Sequence, residues 1–112
     1  MVHFVEDKIC IMKKAIFDKY ITEICKLYRF ADESEIWSKS KRRDYANARY
    51  LLFFLAVRRG INKREVQRYA AEYGWLVARS NVIHAVRTMQ QLMDTDVDYS
   101  SIIRRIETAT TI

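Results

Sequence analysis

Residues 62–93 read NKREVQRYAAEYGWLVARSNVIHAVRTMQQLM, two helical patterns separated by a glycine. Asn62-Lys63-Arg64-Glu65 has the form of a capping box, in which the Asn62 side chain accepts a backbone N–H and Glu65 reaches back. Val66, Tyr69, Ala70 and Tyr73 then recur at helical spacing as the buried stripe of about three turns, and Gly74 ends it. After the link Trp75-Leu76-Val77-Ala78, a second helix is expected from Arg79 or Ser80 to Met93. Its apolar side is Val82, Ile83, Val86, Met89 and Met93, with Gln90 tolerated among them. A helix pair of this kind is the pattern of a helix-turn-helix over 62–93, whose second helix meets base edges with its N-terminal residues. Arg79 has the chemistry to pair with guanine and Asn81 with adenine, and Ser80 suits a base or a phosphate. The free N–H groups of such a helix start also attract phosphate. The same residues also read as a plain N-cap (Ser80) and a solvated charge (Arg79).

Toward the N-terminus, Tyr45 to Arg59 holds the run Leu51-Leu52-Phe53-Phe54-Leu55-Ala56-Val57, apolar nearly all round and therefore buried on most sides if helical. A strand over 50–57 is the alternative for so short an apolar run. The flanking Ala46-Asn47-Ala48-Arg49 and Arg58-Arg59-Gly60 favour a central helix, with cations in its last turn and a left-handed residue at Gly60. Ser38-Lys39-Ser40-Lys41-Arg42-Arg43 has no apolar anchor and is expected as a loop, preceded by a short helix over 33–38 that starts in Asp32-Glu33-Ser34-Glu35. Ile9, Met12, Ile16, Tyr20, Ile24, Leu27 and Tyr28 form one stripe, of one helix or of two in succession. Beyond Met93, Asp94, Asp96 and Asp98 mark a turn, and Tyr99, Ile102, Ile103 and Ile106 a last amphipathic helix. The expectation is one compact all-α domain over 1–112, with five to seven helices.

The chain has 112 residues with 2 glycines and no proline. Phosphate-cradling loops need closely spaced glycines, and an all-β fold needs many turn residues, so both are excluded. The net charge is +6, with 20 Lys and Arg against 14 Asp and Glu. Its distribution is uneven. Residues 38–87 hold 12 basic residues and 3 acidic ones (Asp44, Glu65, Glu72), net +9, whereas 1–37 and 88–112 are net −1 and −2. A basic segment flanked by acidic ends favours a polyanionic partner. Cys10 and Cys25 fit no metal spacing and read as two reduced apolar positions, one disulfide being the other reading. The start lacks the pattern of a secretory signal. The longest apolar run, Tyr50 to Val57, is far short of the roughly 20 residues that cross a bilayer. A cytoplasmic protein without membrane contact is expected.

Several pieces occur together and in order: a helix Tyr20-Ile21-Thr22-Glu23-Ile24-Cys25-Lys26-Leu27-Tyr28, an acidic turn, the Ser-Lys-rich basic loop Ser38 to Arg43, an Ala-x-x-Arg start (Ala46 to Arg49) to a long apolar helix, the Glu65-Val66 helix, and Val82-Ile83-His84-Ala85. On these pieces residues 17–107 resemble the C-terminal DNA-binding domain of the bacterial replication initiator DnaA, a TrpR-like helical domain. The resemblance implies that Lys41 or Arg42 of the basic loop enters a minor groove, that Arg49 holds a phosphate, and that the helix opening at Arg79-Ser80-Asn81 reads the major groove. The chain departs from the family where Ala78-Arg79 stands in place of the Asp-His pair. The connection Ala71 to Val77 replaces a tight Phe-Gly-Gly turn, and Asn47-Ala48 replaces Arg-Pro before the second arginine. These departures imply a site preference altered from the family's, either a different sequence or a loss of sequence preference.

The expected function is a small non-enzymatic binder of double-stranded DNA, in replication or transcription regulation. Its contacts are Lys39, Lys41, Arg42, Arg43, Arg49, Lys63, Arg79, Ser80 and Asn81. No metal, cofactor or small-molecule substrate is expected. The rival is a helical interaction module, as a homodimer or with a protein partner, that has kept the scaffold and lost DNA binding. His84 is expected to be structural, Trp75 a plug beneath the turn rather than an exposed wedge, and Tyr45, Tyr50 and Phe53 core. Asp94, Asp96 and Asp98 lack the neighbours of a calcium loop.

Overall fold

A computed structural model of the chain describes residues 2–110, with side chains from Met12 to Thr110. Helix α1 (Val2–Leu27) leads through a 3-10 helix (Glu33–Trp37) to α2 (Arg43–Arg58), α3 (Lys63–Glu72), α4 (Arg79–Thr95) and α5 (Val97–Ala109), with no strand among the described residues. The fold is all-α, and the stripe from Ile9 to Leu27 lies on one helix rather than two.

The middle of α2 settles the ambiguity over residues 50–57. Leu51, Leu52, Phe53, Phe54, Leu55 and Ala56 are all buried in succession, on every side of one helix. α2 packs against α1, α3, α4 and the 3-10 helix, while α5 closes over α1 and α4. One hydrophobic cluster results, to which α1 brings Ile16, Phe17, Tyr20, Ile21, Ile24 and Cys25, and to which every other helix contributes.

Three helices end in the same way. In each, a residue of positive φ follows the cap, its N–H and the next one return to the last turn, and an apolar residue comes next. Gly60 (φ 105°) closes α2, with Gly60 N to Val57 O and Ile61 N to Ala56 O both 3.0 Å. Gly74 (φ 82°) closes α3, with bonds to Ala71 and, from Trp75, to Ala70. At the end of α1 the same role falls to Arg29 (φ 56°), with bonds to Lys26 and, from Phe30, to Cys25. An arginine in that position carries no sequence signature, which is why the end of α1 has no punctuation.

Some positions differ from the sequence pattern. Asn62 caps α3 by accepting from Glu65 N at 2.9 Å, but the Glu65 carboxylate turns to Lys13 and Tyr69. The cap of α4 is Ala78, without a side-chain bond, so Ser80 lies inside the helix rather than capping it. Tyr73 is exposed rather than part of the stripe: its ring stacks on Trp37 and its hydroxyl donates to Asp18. Met12 and Leu27 are also exposed, as is Gln90, which bonds Asp94. Tyr45 and Tyr50 are half-buried, and of that trio only Phe53 is core. Cys25 is buried and free; the side chain of Cys10 lies outside the described residues.

Two stability predictions follow from these positions. Relieving a left-handed side-chain residue is worth about 1 kcal/mol, so Arg29→Gly should raise the urea midpoint without changing its slope. Burial, with the carboxylates Glu33, Glu35 and Asp32 nearby, pushes the Cys25 thiol from 9.0 to about 11. Burial likewise pushes Tyr28 from 10.0 to about 12, with Tyr99 and Asp44 adding to it. The unfolded chain therefore releases these protons first, and stability should fall as pH rises from about 9 toward 11. Urea midpoints at pH 8, 10 and 11 check this, and Cys25→Ala should flatten the first part of the decline.

Candidate nucleic-acid interface

The charge of residues 38–87 is divided by the way the acidic residues are used. Glu65 and Glu72 of α3 both turn toward α1, where they meet Lys13 at 3.1 Å and Lys14 at 3.2 Å. Asp44 lies 3.7 Å from Arg42. Lys14 is held further by Asp18 at 2.9 Å and sits 4.4 Å over the Tyr73 ring. Burial opposes its charge, but the bonds to Asp18 and Glu72 outweigh that and raise its pKa. With those carboxylates engaged, Lys39, Lys41, Arg43, Lys63, Arg64 and Arg79 have no hydrogen-bond or ion-pair partner among the described residues.

Lys39 and Lys41 lie on the exposed loop 38–42, Arg42 is the backbone cap of α2, and Arg43 is its first residue, so the loop is one residue shorter than its sequence pattern. The loop is anchored from beneath. The Arg49 guanidinium donates to the carbonyl oxygens of Ile36 at 2.8 Å and Ser38 at 3.0 Å, and lies 4.1 Å over the Trp75 ring. Burial lowers its pKa, yet it remains a cation at neutral pH. Arg49 thus joins three parts of the chain: the end of the 3-10 helix, α2, and the connection between α3 and α4. It is a clamp, a role that its place in the sequence did not indicate. Trp75 is half-buried, tilted against Trp37 at 6.2 Å, and works as the plug beneath the turn.

The clamp sets the basic loop beside the α3–α4 connection. Lys39, Gly74, Trp75 and Leu76 line one shallow cavity, and Leu76 stands 87% exposed. Three residues on, α4 begins with Arg79, Ser80 and Asn81, all exposed. Across the start of α3, Lys63, Arg64 and Arg79 share a second cavity of about 400 Å³. Arg64 was not singled out from sequence. The signal was there: two cations in the first turn of a helix stand where the dipole favours acids.

The remaining candidates have local roles. His84 is exposed and meets the Tyr50 ring edge-on at 5.7 Å. Asp96 caps α5, accepting from Asp98 N and Tyr99 N. Among the described residues no three His, Cys, Asp or Glu side chains gather as metal ligands, and no helix is long and apolar enough to cross a membrane. Comparison with protein-family models, with curated proteins and with solved structures returns no match.

Removing the clamp leaves two carbonyls without their charged donor and Trp75 without its cover. Arg49→Ala should cost about 2 kcal/mol in urea unfolding and shift the tryptophan emission, and Arg49→Lys should restore only part, since it lacks the planar fork.

Proposed function

We propose that this protein binds double-stranded DNA without catalysing a reaction, as a cytoplasmic DnaA-like regulator of replication or transcription. α3 and α4 serve as a helix-turn-helix in this proposal. Arg79, Ser80 and Asn81 enter the major groove, and Lys39, Lys41, Arg42 and Arg43 follow the phosphates or reach the adjacent minor groove. The observation that carries the proposal is the placement of unpaired cations: the loop 38–42 and the start of α4 flank one connection, while the acids of α3 face α1. Lys63 adds a phosphate contact, and Arg49 acts by positioning the loop.

A rival, the interaction module, has one feature in its favour, a groove between α1 and α5 lined by Leu27, Ile102, Ile106 and Ala109 with the charged Glu23, Lys26 and Arg105. Size-exclusion mass in nucleic-acid-free solution separates the two.

Fluorescence anisotropy on a pool of random duplexes tests the DNA reading. Affinity should drop by orders of magnitude between about 50 and 200 mM salt, because each neutralised phosphate releases counterions. Absence of binding at the lowest salt would overturn it. Lys41→Gln should reduce the salt slope by about one, whereas Arg79→Ala should relax sequence preference. Arg49→Ala should weaken every duplex while leaving the slope unchanged, and a slope lowered by about one would make Arg49 a direct phosphate contact.

A further inference from the structure

The cavity between the starts of α3 and α4 is lined by Val57, Gly60, Ile61 and Asn62 together with the cations Lys63, Arg64 and Arg79. None of its lining residues is acidic or aromatic. The three cations have no hydrogen-bond or ion-pair partner among the described residues, and the nearest acids in sequence, Glu65 and Glu72, are bound to Lys13 and Lys14. Like charges gathered round one concavity repel one another. Arg64 and Arg79 are exposed, so water and salt screen that repulsion, and a multivalent anion seated among them would meet all three charges at once.

We propose that this cavity binds a compact multivalent phosphate, such as pyrophosphate or the diphosphate of a nucleotide, whether or not the protein binds duplex DNA. Two arginine forks and one lysine match phosphate oxygens, the forks by paired N–H donors and the lysine as a point charge. The volume of about 400 Å³ falls within the range of roughly 300–1,000 Å³ typical of small-ligand sites. It is large for a single phosphate and sufficient for two. With no ring among the lining residues to stack a base, affinity follows the phosphates, so pyrophosphate binds as well as a nucleoside diphosphate does. Arg79 also belongs to the proposed reading helix, so the free anion and duplex DNA compete for it.

Isothermal titration of the full chain with pyrophosphate at low salt tests the site, with citrate as a carboxylate anion of similar charge. Pyrophosphate should bind one to one and at least about tenfold more tightly than citrate. Arg64→Gln with Arg79→Gln should lose roughly tenfold or more of that affinity. Arg104→Gln with Arg105→Gln on α5, which removes the same charge elsewhere, should lose little; circular dichroism establishes that both variants fold. Equal binding of citrate, or equal loss in the two double variants, would overturn the proposal and leave only diffuse attraction by a basic protein. Duplex binding without pyrophosphate binding would overturn it while leaving the DNA reading intact. Pyrophosphate binding without duplex binding would uphold the cavity and overturn the DNA reading.

Discussion

The burial of α2 is the constraint from which the rest of the structure follows. A helix that places six consecutive residues, Leu51 to Ala56, out of water needs neighbours on every side. α1, α3, α4 and the 3-10 helix supply them. A helix covered all round cannot itself offer a binding face along its middle. Whatever the protein presents to a partner must come from the ends of α2, from the segments that enter and leave it, and from the outer sides of its neighbours. The basic loop precedes α2, and the turn at Gly60 leads from α2 into the start of α3, where the cationic cavity lies. Both charged regions are therefore attached to the central, buried helix of the fold.

Charge follows the same division. α1 takes up the acids of α3 with Lys13 and Lys14, which strengthens the contact between these two helices and leaves the cations at the start of α3 without local partners. Arg58 makes the corresponding link from the end of α2 to Glu107 of α5 at 2.8 Å. Three ion pairs, Lys13–Glu65, Lys14–Glu72 and Arg58–Glu107, lie between helices, where they help to hold the fold together, and the cations at the starts of α3 and α4 and on the loop are among those left unpaired. Exposed pairs contribute little energy each, and their greater effect here is on where positive potential remains. Arg49 is the exception among the cations. It is drawn inward by two carbonyls and the face of Trp75, and it fixes the spacing between the loop and the α3–α4 connection.

Much of this was legible in the residues. Gly60 and Gly74 announced two helix ends because they are the chain's only glycines and each stands after a periodic segment. Asn62 announced a cap through its side-chain chemistry, and the apolar run of α2 announced a central helix. Arg29 announced nothing, because a left-handed arginine is tolerated only where packing and backbone bonds impose it. Tyr73 looked like core by spacing alone. It sits on the outer edge of the stripe, where Trp37 offers a stacking partner and Asp18 an acceptor. The basic loop and the start of α4 were legible as candidates, while Arg64 drew notice through the cavity it shares with Arg79.

Sequence by itself determined the fold class, a range of five to seven helices, most of their boundaries and the segment in which positive charge is concentrated. These depend on local propensity, periodicity and composition, and each can be read within one or two turns of chain. Tertiary structure alone decided which cations are free, since an ion pair such as Lys13–Glu65 joins residues 52 apart. It also decided that Arg49 is a clamp and that Lys63, Arg64 and Arg79 surround one cavity. Coulomb energy and hydrogen bonding depend on distance through space, and the packing of α1, α3 and α4 around α2 is what brings those distances within reach.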